Sequence, residues 1–351
     1  MKFGIIGLGA HGITHANVLT RLGQTVIGVD ANSEARAEFS ETFDAKTYKN
    51  TASLYEQDVA GIIIATPNKF HEATATEALD AGFPTLIEKP LAHDLPSAER
   101  IVEAANQTDC PCLVSFSNKF QTACSVAKSY VESGYFGKIT HIRARHVRRR
   151  GIPGRGTWYT SKDIAGGGAL LDIGANLVNV LLYLTGWPAI TEVVGNARSE
   201  FGKQDNYAYL DMYDDNGQAK MYDVEDSVTA FSKFGDGMTA SIEVAWAANA
   251  QPEHTYVIQG TDAGAELRLS NDLSEKSESP LTNELSLLET RPDDIDHHVD
   301  AAVTVPDSDP LEREMRHFIT AATDEEHPTL NSAQQGLRVQ RAIDTIYTAS
   351  R

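Results

Sequence analysis

The feature that most constrains this chain is a glycine pattern that directly follows its first apolar run. Residues 2–7 read KFGIIG, which predicts a short buried strand, and Gly7, Gly9 and Gly12 then form G-x-G-x-x-G at the start of a helical stretch. In this context the glycines permit a tight turn, a close approach of a ligand to the backbone, and close packing of helix on sheet. The helix N-terminus offers unpaired N–H groups to a phosphate. The pattern predicts a dinucleotide site, and the alternative is a glycine-rich turn without a ligand.

The end of the second predicted strand indicates which dinucleotide binds. Asp30 closes that strand about 18 residues after the last glycine of the pattern. A carboxylate at this point accepts hydrogen bonds from the ribose hydroxyls and repels a 2′-phosphate, which favours NAD over NADP. Arg36, one turn into the following helix, either reaches back towards such a phosphate or faces solvent. Ala10 and His11, inside the glycine pattern, complete the predicted contacts of this part of the cofactor.

The first third of the chain alternates short apolar runs with helical patterns. Further strands are predicted at 26–30, 61–66, 85–88 and 111–116, with helical stretches between them. Near-continuous apolar strands separated by helices are typical of a parallel sheet that is covered on both faces.

The pattern changes after about residue 120. Longer alternating segments between 139 and 269 predict a large, mostly antiparallel sheet with one open face, interrupted by a glycine-led helix at 168–184. Residues 271–309 are rich in Ser, Asp, Glu and Pro, which predicts exposed loops between weaker strands, and helices are expected at 311–323 and 332–349. The predicted fold is an α/β Rossmann domain (1–121) followed by an α+β domain (122–351) for substrate binding and oligomerisation, whose C-terminal helix is able to pack back on the first domain.

Charge and composition exclude several partners. The chain has 49 acidic and 30 basic residues, a formal net charge of −19, so we expect neither nucleic acid nor an anionic membrane surface as a partner. No apolar run approaches the roughly 20 residues that span a bilayer, and we expect a cytoplasmic protein. Cys110, Cys112 and Cys124 are too few and too unevenly spaced for a disulfide framework, and we expect no metal site.

Three further motifs follow the glycine pattern in a fixed order. They are Thr66-Pro67-Asn68 with His71, then Glu88-Lys89-Pro90, then the segment 166–174, which reads GGGALLDIG. In this combination, and over essentially the whole chain, the sequence resembles the Gfo/Idh/MocA oxidoreductases, which include glucose-fructose oxidoreductase and inositol dehydrogenases. The resemblance implies NAD(P)-dependent hydride transfer to or from a hydroxyl-bearing carbon of a sugar, sugar acid or cyclitol.

Lys89 is the predicted proton carrier. Segments 66–71 and 88–90 follow parallel strands, and open sheets bind ligands beyond the carboxyl ends of their strands. Partial burial lowers the pKa of a lysine, which allows it to exchange a proton with a substrate hydroxyl. The resemblance implies the same role for Lys89, and an unusual peptide geometry at Pro90; the alternative is a lysine that simply pairs with Glu88. The predicted cofactor contacts of these two segments are Thr66, Pro67, Asn68, His71, Glu88 and Lys89.

Asp172 and Asn176 lie four residues apart and therefore share one face of the predicted helix. Many family members have histidine, as proton acceptor, where this chain has Asn176. An amide holds a hydroxyl by hydrogen bonds but does not titrate near neutral pH. We therefore expect Lys89, coupled to Asp172, to carry the proton transfer, and the alternative is an altered or inactive enzyme.

Several residues before this helix are candidate substrate contacts. Arg148 and Arg155 suit a carboxylate or phosphate of the substrate, and a solvated charge cluster is the equal alternative. Trp158 and Tyr159 either stack on a sugar or fill a domain junction, and Asn118 follows the fifth strand.

Two rival functions and an assembly also follow from the sequence. One rival is an NAD-dependent enzyme that oxidises a sugar transiently and then cleaves or eliminates a glycosidic group. The other, suggested by Asn176, is a non-catalytic dinucleotide- or sugar-binding protein. The open sheet face predicts a homodimer or homotetramer through roughly residues 190–270.

Overall fold

The computed structural model describes residues 1–208, 222–269, 284–324 and 330–350. They form two compact units, which we call the first unit (1–117 with 309–340) and the second unit (118–308 with 341–351).

The first unit is built on a six-stranded parallel sheet. Its strand order is β3-β2-β1-β4-β5-β6, so β1 lies between β2 and β4 and the order reverses beside it. The central strands are buried along nearly their whole length, which confirms the predicted Rossmann sheet. The two-residue strand β3 is too short to show as an apolar run in the sequence. The elements are β1 (Lys2–Ile6), α1 (Ala10–Arg21), β2 (Thr25–Val29), α2 (Ser33–Phe43), β3 (Thr47–Tyr48), α3 (Ala52–Tyr55), β4 (Gly61–Ile64), α4 (His71–Asp80), β5 (Thr85–Glu88), α5 (Leu95–Thr108) and β6 (Cys112–Ser115).

The second unit is built on an eight-stranded sheet. The strand order is β14-β13-β12-β11-β7-β10-β9-β8, and every neighbouring pair is antiparallel except β7 with β10. Strand β9 alternates exposed and buried residues, as expected for a sheet with one open face. The mostly antiparallel sheet is confirmed. The elements are α6 (Thr122–Glu132), β7 (Ile139–Val147), α7 (Lys162–Ala165), α8 (Ala169–Thr185), β8 (Ile190–Arg198), β9 (Ser227–Phe234), β10 (Thr239–Ala245), β11 (Glu253–Gly260), β12 (Ala263–Arg268), β13 (Glu284–Arg291) and β14 (His297–Val303).

Strands β13 and β14 lie within the segment 271–309, for which the sequence predicted loops between weaker strands. Residues 271–283 of that segment lie outside the described residues.

The chain returns to the first unit near its end, through α9 (Pro310–Thr323) and the first half of α10 (Ala333–Ala349). Met315 and Phe318 join the core that contains Phe3 and Leu113, and the rings of Phe3 and Phe318 are 5.9 Å apart. The sequence analysis assigned 309–340 to the domain 122–351. The difference arises because helical periodicity marks an apolar face but does not say which core that face covers.

Helix α8 is the most apolar helix of the chain. The stretch Lys162–Thr185 has the length and composition of a helix that could cross a membrane, a test that a buried core helix also passes. Within the folded chain 89% of its most apolar window is buried, and α8 contacts β7 and β10. Its apolar character is therefore used in the core of the second unit.

Candidate active site

The glycine turn between β1 and α1 leaves room for a side chain at one of its three glycines and not at the other two. Gly7 has a φ of +93°, and a Cβ there would lie 2.6 Å from the carbonyl oxygen of Ala65. A Cβ on Gly12 would lie 2.0 Å from the carbonyl oxygen of Gly7, whereas a Cβ on Gly9 would meet no atom within 4 Å. Gly7 and Gly12 are thus required by the fold itself. The space beside Gly9, at the N-terminus of α1, is open, and this geometry fits a pyrophosphate that approaches the backbone.

The carboxylate of Asp30 is fixed at the end of β2. Its Oδ2 accepts the Leu8 N–H at 2.8 Å, and its Oδ1 accepts the Asn32 N–H at 2.7 Å. Each carboxylate oxygen has a further lone pair, which is available to a ribose hydroxyl. Arg36 donates to the carbonyl oxygens of Asp30 (2.7 Å) and Ala31 (3.0 Å), so its guanidinium braces the same turn. The residues of this turn fit the ribose of a dinucleotide.

His71 connects the loops that follow β4 and β5. The ring is fully buried, with Nε2 2.8 Å from the carbonyl oxygen of Thr66 and Nδ1 3.0 Å from that of Pro90. Burial lowers the pKa of His71, and the two carbonyl contacts only partly oppose this effect. A neutral imidazole has a single N–H, so it can donate to only one of the two carbonyl oxygens in either tautomer. His71 was predicted to contact the cofactor, and the structure places it beneath the two loops.

Glu88 organises the end of β5. Its Oε2 accepts the backbone N–H of Lys89 at 3.1 Å, and its Oε1 lies 2.6 Å from Nε2 of the buried His15 and 3.7 Å from Nδ1 of His11. Burial raises the pKa of Glu88, but the positive charges of His11 and His15 and the His15 hydrogen bond outweigh it and hold the pKa well below its usual range. Lys89 itself is half-buried. The Lys89–Pro90 peptide is cis, in agreement with the unusual geometry that the resemblance implied.

His15 was not identified from the sequence. Its only signal is a polar residue on the otherwise apolar face of α1, three residues after the last glycine. Burial lowers the pKa of His15, but the hydrogen bond and charge of Glu88, together with the charge of Glu314, raise it overall. His15 and Glu88 therefore form a buried ion pair behind Lys89.

The loop after β4 presents polar groups at the same edge of the sheet. The buried Oγ1 of Thr66 has no hydrogen-bond partner among the residues that the structure describes, and Asn68 is buried in the short turn before α4. These groups lie where strands β1, β4 and β5 end side by side. The predicted cofactor contacts of the first unit are thus brought to one edge.

In the second unit a buried carboxylate fixes the start of α8. Glu225 accepts the N–H groups of Gly168 (2.9 Å) and Leu170 (3.0 Å) and the hydroxyl of Tyr347 (2.8 Å). A Cβ on Gly168 would lie 1.9 Å from the Glu225 carbonyl oxygen, and one on Gly167 would lie 2.2 Å from Tyr347 Oη. Glu225 and Tyr347, which we call the clamp of α8, therefore leave no room for a side chain at the last two glycines of the triplet. Burial raises the pKa of Glu225 although its hydrogen bonds lower it.

Helix α8 carries a polar row on one face. Asp172 Oδ2 accepts the indole N–H of Trp246 at 2.8 Å. The buried Asn176 has no partner for Oδ1 within the described parts of the chain, and neither side-chain polar atom of the fully buried Asn179 has one there. Asp172 and Asn176 share the face that the sequence predicted. Asn179 and Trp246 were missed, although a polar residue inside so apolar a helix is a usable signal.

The predicted substrate arginines are buried. Arg155 is 2% exposed, and it donates to the carbonyl oxygens of Gly202 and Gln204. Arg148 is 5% exposed. The structure therefore does not present either side chain as part of a solvated charge cluster.

The remaining candidates lie in the second unit. The rings of Trp158 and Tyr159 stack on each other with centroids 3.8 Å apart, and both are half-buried. Asn118 is buried and its Oδ1 accepts from Gln121 Nε2 at 3.3 Å. Their substrate contacts stay predictions.

A glycine turn, a carboxylate at the end of β2 and a lysine at the end of β5 are typical of a dinucleotide-binding Rossmann unit of the kind found in oxidoreductases. Residues 1–116 match the model of the oxidoreductase family with an NAD-binding Rossmann fold, and residues 125–266 match the model of the GFO/IDH/MocA C-terminal domain. The chain belongs to the Gfo/Idh/MocA family of NAD-binding oxidoreductases.

Named relatives of this chain are sugar dehydrogenases. The D-glucoside 3-dehydrogenase of Escherichia coli (strain K12) is 29% identical over 208 residues, which are 59% of this chain and 58% of the relative. The levoglucosan dehydrogenase of Pseudarthrobacter phenanthrenivorans is 28% identical over 244 residues, 66% of this chain and 62% of the relative. The chain thus spans less than two thirds of the length of these two relatives. A solved levoglucosan dehydrogenase in complex with NADH and levoglucosan has the same fold, with a TM-score of 0.82 at 21% identity, covering 100% of this chain and 97% of that one.

Proposed function

We propose that this chain is an NAD-dependent dehydrogenase that acts on a CH–OH group of a sugar, sugar acid or cyclitol. The observation that carries the proposal is the edge of the first sheet, where the open position at Gly9 and the carboxylate of Asp30 suit a dinucleotide and Lys89 follows β5. The family membership and the sugar dehydrogenases among the relatives support the substrate class.

The nicotinamide, when bound, accepts or donates the hydride. The residues of the chain bind the cofactor, orient the substrate and move one proton. During oxidation the substrate hydroxyl gives its proton to the neutral amine of Lys89, and a carbonyl forms at that carbon. The buried Glu88–His15 pair holds the Lys89 backbone and therefore limits the positions that its amine can reach.

Asn176 and Asp172 are proposed to position the substrate. Oδ1 of the buried Asn176, which has no partner among the described residues, suits a substrate hydroxyl, and Asp172 is oriented by Trp246. Neither needs to change its protonation state in this role. The absence of histidine at Asn176 is therefore compatible with turnover in which Lys89 carries the proton.

We propose a neutral polyol as the principal substrate, because Arg155 already donates to backbone carbonyls and Arg148 is buried. The test is steady-state NADH formation with NAD and, separately, with NADP, over a panel of neutral sugars, inositols, uronates and sugar phosphates. Turnover of a neutral member with NAD supports the proposal. If the purified protein instead cleaves glycosides without added NAD, or binds NADH but reduces and oxidises nothing in the panel, the proposal is wrong and the corresponding rival function stands.

Lys89→Ala tests the role of the lysine. We expect turnover to fall by at least about 100-fold, the usual contribution of a positioned acid–base group, while NADH binding measured by fluorescence stays within a few-fold of the wild type. Lys49→Ala, at an exposed lysine of the same unit, is the control and should behave as the wild type. Wild-type turnover in Lys89→Ala would exclude it as the proton carrier.

We also propose that the protein works in the cytoplasm as a homodimer or homotetramer. The cross-strand pair Val194 and Phe231 supports this, because the two side chains are adjacent on β8 and β9 and are 75% and 49% exposed. Recovery of the native protein in a membrane or secreted fraction would contradict the location.

A further inference from the structure

Glu314 is a buried acid that the proposed mechanism does not use. It lies on α9, is 3% exposed, and accepts hydrogen bonds from Ser115 Oγ at 2.9 Å and from Asn331 Nδ2 at 3.0 Å. Ser115 is the register partner of Glu88 in the β5–β6 pair. The carboxyl group of Glu314 therefore lies behind the strand end that carries Lys89.

The cation that acts on Glu314, the His15 imidazolium, is already hydrogen-bonded to Glu88. The charged groups that face it are His15 from α1 and Glu88 from β5, while Ser115 from β6 and Asn331 from the loop before α10 are neutral. His15 is hydrogen-bonded to Glu88, and its other ring nitrogen has no partner among the described residues, so the imidazolium is paired with Glu88 and not with Glu314. A second carboxylate would be a buried charge without a partner of its own, which is strongly unfavourable.

A protonated Glu314 satisfies its neighbours. A protonated carboxyl keeps acceptor capacity on both oxygens, so it can still accept from Ser115 Oγ and from Asn331 Nδ2. The pKa of Glu314 is raised to about 8, chiefly by burial and also by the negative charge of Glu88. The charge of His15 and the hydrogen bonds from Ser115 and Asn331 lower the pKa but do not outweigh burial. The neutral form is thus the one that fits the cluster at neutral pH.

We propose that Glu314 is a positioning residue: in its neutral form it preserves the buried ion pair of His15 and Glu88, and through Glu88 it keeps Lys89 in place. When Glu314 ionises, its charge competes with Glu88 for the imidazolium. The hydrogen bond from the Lys89 backbone to Glu88 then loses its fixed acceptor. The effect on turnover rests on the proposed function, whereas the neutrality of Glu314 does not.

The first test is thermal unfolding of the full chain without ligand, for wild type, Glu314→Gln and Glu312→Gln. The carboxyl of Glu314 has a pKa of about 8 in the folded chain and near 4.5 in the unfolded chain. Between these pH values the folded chain keeps a proton that the unfolded chain has released. The free energy of unfolding therefore falls as the pH rises from about 4.5 to about 8. The Tm of the wild type should therefore fall relative to that of Glu314→Gln between pH 5 and pH 6, where the raised pKa of His15 keeps its imidazole protonated in the folded chain. Glu312, half-buried on the same helix and paired with Arg316, is the control and should follow the wild type.

The second test is the pH profile of kcat and of NADH affinity. Glu314→Gln mimics the neutral acid: its oxygen can accept from Asn331 Nδ2, and its amide N–H can donate to Ser115 Oγ, which reverses the direction of that bond. We therefore expect near-wild-type kcat at pH 7. Above pH 8 the wild type should lose kcat, approaching about tenfold per pH unit, while Glu314→Gln holds its value.

The outcomes separate the two claims. Parallel Tm profiles for wild type and Glu314→Gln would show that Glu314 is ionised and would overturn the inference. Divergent Tm profiles with identical kcat profiles would also overturn it, since Glu314 would then be a structural group alone. If no substrate is found, the proposed function fails, and the Tm profiles still decide whether Glu314 is neutral, on which the inference depends.

Discussion

At the scale of single residues, the three glycines of the first turn have different physical reasons to be glycine. At Gly7 and Gly12 a side chain would collide with backbone, whereas at Gly9 it would meet only open space. The fold therefore does not explain Gly9, and a ligand that approaches the backbone does.

Gly9→Ala should separate ligand binding from folding. Gly9 has a φ of −75°, which alanine adopts without strain, so we expect the Tm to stay within a few degrees of the wild type. NADH affinity, measured by fluorescence titration, should fall by at least about tenfold, or about 1.4 kcal/mol. Gly12→Ala is the matched contrast, since it should lower the Tm by strain against the Gly7 carbonyl. Unchanged affinity in Gly9→Ala would place the dinucleotide elsewhere.

Residue-level prediction from sequence reaches those features whose requirement is local. The glycine spacing, Asp30 and the Glu88-Lys89-Pro90 motif are each readable within a few positions of a strand end. His15 and Glu314 were missed because their importance comes from burial beside Glu88, and Glu314 lies more than 200 positions away from it in the chain. The burial of Arg155 against backbone carbonyls was likewise invisible, since a guanidinium predicts a charged partner but not which acceptor it meets.

At the scale of elements, the polar row of α8 depends on how that helix begins. The side chain of Glu225 takes the place of a local N-cap by accepting two N–H groups of the first turn, and Tyr347 of α10 holds the carboxylate from the other side. The helix bounds were predictable from the glycine triplet and the apolar pattern. The clamp was not, because its two side chains come from distant parts of the sequence.

Tyr347→Phe should loosen this clamp without leaving a cavity. It removes one hydrogen bond to a buried carboxyl, for which we expect a loss of about 1.5–3 kcal/mol in the free energy of unfolding, measured with urea. Tyr48→Phe, at a half-buried tyrosine of β3, is the control and should change the free energy by less than about 0.5 kcal/mol. Equal effects of the two substitutions would mean that Tyr347 does not support α8.

At the scale of the whole molecule, the open face of the second sheet predicts self-association. Phe231→Glu places a charge next to Val194 in the exposed cross-strand pair, and burying that charge in an interface is costly. We expect the wild type to be a dimer or tetramer by light scattering and Phe231→Glu to shift towards monomer. Ile295→Glu, at an 80% exposed residue of the loop between β13 and β14, should keep the wild-type mass. A monomeric wild type would show that this face serves another purpose.

The return of residues 309–340 to the first unit has a consequence for the order in which the protein matures on the ribosome. Phe3 and Leu113 emerge early, yet Met315 and Phe318, which complete the same core, are synthesised about 200 residues after the first stretch of that unit ends. At typical translation rates the nascent N-terminal segment waits roughly 10–40 s for its last helix. During that interval its apolar surface is open to chaperones, so premature termination before α9 should yield an aggregation-prone fragment instead of an independent cofactor-binding domain.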